Sequence, residues 1–189
     1  MKIVCIGDSI TYGYGVRQRE AWPYLLSMKY NVHIVNRGIN GDTTEGMCLR
    51  FDRHVIKEKP SHVIILGGVN DIMMGIDLDE IQENISNMVH MANENNIVPI
   101  VGIPIKTDPQ LAPIQWSSTT DFYEVNEKLI LYRKWILGFA KKFNVEVIDF
   151  YEGFNKYMGE DDRSDYYSDG LHLTSKGNEI MAKLINLRY

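Results

Sequence analysis

The sequence predicts an α/β protein built on a five-stranded parallel sheet with helices on both faces. Three observations carry that prediction. Five short apolar runs of strand length recur along the chain, helical patterns separate them, and the chemistry-bearing polar residues cluster just after the runs.

The runs are KIVCIG (2–7), NVHIVN (31–36), HVIILGG (62–68), IVPIVGI (97–103) and VEVIDF (145–150). They are rich in Val and Ile and nearly continuous, which is how strands covered on both faces read. Between them, Ile81, Ile85, Met88 and Ala92 recur at helical spacing over 79–94. Val125, Leu129, Tyr132, Ile136, Phe139 and Phe143 do the same over 121–143. A last helix should follow Thr174 as its cap, with Ile180, Met181, Leu184 and Ile185 inward and Lys176 and Lys183 outward. Strands alternating with helices imply right-handed crossovers and a parallel sheet.

Bulk properties narrow the classes of function. At 189 residues the chain fits one domain over 1–189, long enough to bury roughly 70% of its unfolded surface. The net charge is -5 and no Lys/Arg run exceeds two, so no nucleic-acid footprint or polybasic membrane patch is expected. The first apolar stretch ends at Ile6, short of a secretory signal, and no run approaches a membrane span. Two cysteines, Cys5 and Cys48, read as reduced and exclude a cysteine-based metal site by count. The expectation is a cytoplasmic protein without stable membrane association; its oligomeric state is not readable.

In open parallel sheets, ligands bind beyond the carboxyl ends of the strands. Gly7-Asp8-Ser9 follows the first run, Gly38-Ile39-Asn40-Gly41-Asp42 the second and Gly68-Val69-Asn70-Asp71 the third; the fifth leads, after a loop, to Asp169-Gly170-Leu171-His172. A serine just past a strand is presented free of the ladder, but it needs a base to become a nucleophile. His172 is the candidate base. His33 and His62 fall in strand patterns and His54 and His90 in helical ones, whereas His172 lies in a polar loop three residues after Asp169. A carboxylate on Nδ1–H would fix the imidazole tautomer. Backbone N–H groups of Ser9 and Gly41 and the Asn70 amide are candidate oxyanion donors. Each motif also has a plain structural reading: Asp8 or Ser9 as a cap, Asn40-Gly41 as a turn, Asp42, Thr43 or Asn70 as caps. Their joint placement at the strand ends favours chemistry.

Those four blocks resemble the SGNH hydrolase family, also called GDSL esterases/lipases, from residue 7 to residue 172. The resemblance implies a flavodoxin-like three-layer α/β/α sandwich and hydrolysis of esters or thioesters. It implies Ser9 as nucleophile, His172 as base and then acid, Asp169 as the orienting carboxylate, and Ser9, Gly41 and Asn70 as the oxyanion hole. No metal or organic cofactor is expected, and Asp8 is assigned to local structure.

Two segments match no block: 104–120 (PIKTDPQLAPIQWSSTT) and Tyr151–Ser168 with its tyrosines. At such lengths a lid or substrate-contacting role is expected, with Trp116 and Tyr167 as candidate pocket residues; the alternative is that the aromatics only pack these loops down. The reading is a serine esterase acting on a small-molecule ester with a short acyl or acetyl group. The alternatives are a lysophospholipase or thioesterase on longer chains, or a non-enzymatic flavodoxin-like domain binding a small ligand. No Gly-x-Gly-x-x-Gly follows the first run and no Gly-Lys-[Ser/Thr] occurs, which weighs against a nucleotide site.

Overall fold

The computed structural model describes residues 1–158 and 163–187. The elements in chain order are β1 (Lys2–Gly7), α1 (Ser9–Tyr12), α2 (Trp22–Tyr30), β2 (His33–Gly38), α3 (Thr44–Leu49), α4 (Phe51–His54), β3 (His62–Leu66) and α5 (Val69–Met73). There follow α6 (Leu78–Glu94), β4 (Val98–Ile103), α7 (Ala112–Gln115), α8 (Phe122–Phe143), β5 (Glu146–Asp149), α9 (Phe150–Met158) and α10 (Ser175–Leu184). The five strands form one all-parallel sheet in the order β2-β1-β3-β4-β5.

Strand alternation sorts the core into two layers. Val4, Ile6, Val63, Ile65 and Val101 point to one face, under Met47 and Phe51, Ile81 and Ile85 of α6, and Leu129 and Ile136 of α8. Ile3, Cys5, Ile64, Leu66 and Ile100 point to the other, under Trp22 and Leu26 of α2, Phe150 and Phe154 of α9, and Ile180 and Met181 of α10. A period of two gives each strand two apolar faces only if both faces are covered, and the continuous runs record that. Thr174 caps α10 as expected, its side chain accepting from Gly177 N–H; truncating such a cap typically costs about 1 kcal/mol.

Several boundaries differ from the sequence reading. The second strand runs over 33–38 rather than 31–36, because Asn31 ends α2 in the left-handed conformation (φ 50°) and its N–H closes on the Ser27 carbonyl. It is also half-buried rather than covered on both faces, since it is an edge strand. The fifth strand stops at Asp149, and Phe150 opens a helix whose Phe150, Phe154 and Met158 are buried. The Tyr151–Ser168 segment is therefore not one long loop; within it, 159–162 lies outside the described residues. Phe143 is 47% exposed instead of inward, because α8 ends there and Asn144 turns the chain away. Cys48 is only partly buried at the rim of the core, and both thiols are unpaired.

In this strand order β1 is flanked by β2 and β3, and the chain leaves the sheet in opposite directions from that point. A crevice opens there beyond the carboxyl ends. Ser9 follows β1 and Asn70 follows β3, so the topology brings two of the four sequence blocks to its mouth.

Candidate active site

β1 ends at Gly7, and Asp8 caps the short helix α1 by accepting from the Ile10 N–H at 2.8 Å. That cap is the structural role expected for Asp8. It leaves Ser9 as the first helical residue, its side chain turned from the sheet toward the incoming 169–172 loop. Burial pushes the Asp8 carboxyl up to about 7, against the lowering effects of the Ile10 N–H and nearby His172.

The Asp169–His172 turn is built by the aspartate itself. Oδ1 accepts from the N–H groups of Leu171 (3.0 Å) and His172 (2.7 Å), while Oδ2 lies 2.7 Å from His172 Nδ1. Gly170 makes the turn with φ 83°, and a Cβ there would lie 2.3 Å from the backbone nitrogen of Ala112. Burial raises the Asp169 carboxyl, but the hydrogen bonds from His172 and Leu171 outweigh it and hold the group below its ordinary value. Across the ring, His172 Nε2 lies 2.9 Å from Ser9 Oγ. Serine, imidazole and carboxylate thus form one continuous hydrogen-bonded relay, with the imidazole 2% exposed.

The second and third blocks meet beside it. Gly41 sits at φ 74°, a conformation that suits glycine, with open space where a side chain would be. The Asn70 amide donates to the Asp42 carbonyl at 2.9 Å, so it is held by the residue following Gly41. Asn70 is not a cap, and Thr43 rather than Asp42 caps α3 by accepting from Gly46 N–H at 3.2 Å.

Sequence reasoning missed the groups that hold these loops. Arg50 donates from Nε to Asp42 Oδ2 (2.7 Å), from Nη1 to the Arg37 carbonyl (2.9 Å) and from Nη2 to the Gly7 carbonyl (3.0 Å). One guanidinium thereby ties the exit of β1, the end of β2 and the Gly41–Asp42 loop. Asp71, buried, accepts from the Thr44 N–H at 2.9 Å and from its hydroxyl, joining the third block to α3. Burial raises its carboxyl despite those bonds. The signal was present: Asp42 and Asp71 each directly follow a candidate oxyanion donor. Arg50 had none, being a lone arginine at the end of a helix.

Of the two candidate pocket aromatics, the structure brings one to the site. Trp116, 44% exposed, sets its ring edge-on to His172 at 4.7 Å, and Tyr14 lies 4.4 Å from the same imidazole. Tyr14 was not foreseen. Tyr167 is a correction: it is 1% exposed, packs edge-on against Phe154, and donates its hydroxyl to the Lys106 carbonyl at 2.6 Å. It is core, not pocket. The 104–120 segment divides likewise. Pro104–Asp108 is mostly buried, Asp108 N–H donates to the Gly170 carbonyl at 2.7 Å, and Thr107 exchanges hydrogen bonds with Asn126. Only the part around Trp116 is exposed beside the imidazole. Among the described residues no cluster of His, Cys, Asp or Glu could hold a metal ion, and no helix is long and apolar enough to cross a membrane.

A parallel α/β/α sandwich with a Ser–His–Asp relay at its switch point defines a class, the hydrolase folds that work through a serine. Comparison with known proteins narrows it. The GDSL-like Lipase/Acylhydrolase family matches residues 5–180, and the chain belongs to that family. Esterase TesA of Pseudomonas aeruginosa is 31% identical over 109 residues, 54% of this chain and 54% of that protein, so this match spans about half the length of either. The isoamyl acetate-hydrolyzing esterase 1 homolog of Rattus norvegicus is 28% identical over 199 residues, covering 95% of this chain and 78% of that protein. The crystal structure of the lipase/acylhydrolase from Enterococcus faecalis superposes with a TM-score of 0.77 at 28% identity, over 97% of this chain and 92% of that one.

Proposed function

We propose that the protein hydrolyses carboxylic esters through an acyl intermediate on Ser9. The observation that carries this is the relay, 2.9 Å from Ser9 Oγ to His172 Nε2 and 2.7 Å from Nδ1 to Asp169. Asp169 holds the proton on Nδ1, which leaves Nε2 as the acceptor. His172 takes the Ser9 proton as Oγ attacks the ester carbonyl carbon. The developing oxyanion is met by the backbone N–H groups of Ser9 and Gly41 and by the second N–H of the Asn70 amide, the first being spent on Asp42. Collapse breaks the bond to the alkoxide, which leaves with the proton from His172. A water then repeats the sequence on the acyl-serine and releases the acid.

The preferred substrate on this reading carries a short acyl group on a modest alcohol. Tyr14 and Trp116, both about half-exposed, flank the imidazole and border the path by which a leaving group would depart past His172. The name of the rat relative, which refers to an acetate ester, agrees with that size class. A series of p-nitrophenyl esters from acetyl to octanoyl tests it. Acetyl or butyryl should give the highest kcat/KM; a maximum at octanoyl would move the assignment to longer-chain lipid or thioester substrates. The two free thiols fit a reducing compartment, and on that ground we assign the protein to the cytoplasm.

A further inference from the structure

The outer face of α8 carries a pattern that ester hydrolysis leaves unused. Tyr123, Ile130 and Leu137 recur every seven residues and are 62%, 51% and 39% exposed, and Leu131 beside them is 57% exposed. Val125, Leu129, Tyr132 and Ile136 face the sheet on the opposite side. Seven-residue spacing puts the exposed set on one stripe of the helix, the arrangement that pairs helices. Glu127 and Lys134 lie on the same stripe and are exposed, while the ion pairs of α8 are made by Glu124, Lys128 and Arg133. Gly138 also lies there, with nothing within 4 Å of where its Cβ would be.

Reversed, the stripe fits itself. We propose that α8 pairs antiparallel with α8 of a second copy of this chain, about a two-fold axis between Ile130 and Leu131. Residues equally far from the axis then oppose each other. Ile130 packs on Leu131 of the partner subunit, and Tyr123 fills the gap over Gly138 of the partner subunit. Glu127 meets Lys134 of the partner subunit. Each contact occurs twice, as an isologous interface requires. Charge decides both the occupant and the orientation. A parallel pair would set Glu127 on Glu127 and Lys134 on Lys134, whereas the antiparallel pair joins opposite signs at both places. A single helix pair buries less than the standard interface of about 1,600 Å², so a micromolar dimer is expected.

Sedimentation equilibrium of the purified full chain, over about 1–100 μM, tests this without reference to activity. The wild type should dimerise. Ile130→Asp, an exposed position whose change leaves the core intact, should weaken the dimer at least about tenfold. Glu127→Lys and Lys134→Glu should each weaken it about three- to tenfold, and the double exchange E127K/K134E should return it to within about threefold of wild type. Far-UV circular dichroism checks that each variant is folded. A wild type that stays monomeric throughout, a dimer indifferent to Ile130→Asp, or a double exchange no better than its singles would each overturn the proposal.

Discussion

The side-chain amide of Asn70 donates to the backbone carbonyl of Asp42 across 28 residues of sequence, at 2.9 Å. The bond fixes the plane of the amide before any substrate arrives, which is what an electrostatic catalyst needs: donors already in place when charge develops. Asn70→Ala should therefore lower kcat by about 10²–10³ with KM little changed, because the lost contact belongs to the transition state. Steady-state kinetics on p-nitrophenyl acetate read this directly, and unchanged turnover would remove Asn70 from the oxyanion site.

Arg50 holds the other end of the same loop. With its guanidinium on the Asp42 carboxylate and the Gly7 carbonyl, it sets the distance between the Ser9 turn and the Gly41 N–H. Arg50→Lys keeps the charge but loses the fork that reaches three acceptors at once. The expected outcome is a fall in kcat of about tenfold or more with KM nearly constant. A change in KM alone would mean that Arg50 shapes substrate binding instead.

Asp169→Asn leaves the shape of the 169–172 turn nearly intact, since an amide oxygen can still accept from the backbone. It removes the negative charge 2.7 Å from His172 Nδ1, to which the proposed mechanism gives the tautomer-fixing role. A loss in kcat of about 10³–10⁴ is expected, with the melting temperature close to wild type. A loss of stability matching the loss of rate would make Asp169 a turn-former only.

Asp8 gives stability a pH signature. Its carboxyl, raised by burial to about 7, holds its proton in the folded chain over a range where the unfolded chain has released it. Between about pH 4 and pH 7 the folded state binds the extra proton, so this group's contribution to stability is present at low pH and is lost as pH rises. Asp8→Asn keeps the oxygen that caps Ile10 and removes the titration. Urea unfolding at pH 4.5 and 7.5 should show the wild type losing stability relative to Asp8→Asn as pH rises, on the order of 1–4 kcal/mol. A pH-independent difference would place the Asp8 carboxyl in its ordinary range.

The sheet and the place of the candidate site were legible in the sequence because both follow from patterns along the chain. Continuous Val/Ile runs mark strands with both faces covered, and the polar blocks directly after them mark the carboxyl edge. Edge strands break that logic: β2 is half-exposed, with Ile34 and Val35 its only aliphatic side chains, and its start moved because Asn31 took the left-handed cap. Aromatic residues in irregular segments were the least readable. Trp116 and Tyr167 stand in similar polar surroundings, but one borders His172 and the other fills the core against Phe154. The difference is made by tertiary contacts alone. Arg50 was invisible for the same reason, its three acceptors lying 8, 13 and 43 residues back along the chain and meeting only in the fold.

The most direct measurement is intact-mass analysis after reaction with a fluorophosphonate, followed by peptide mapping. One adduct per chain, located on Ser9 and abolished both by Ser9→Ala and by His172→Ala, is the predicted result. An adduct on another residue, or a wild type that reacts no faster than its Ser9→Ala variant, would contradict a hydroxyl activated by the neighbouring imidazole.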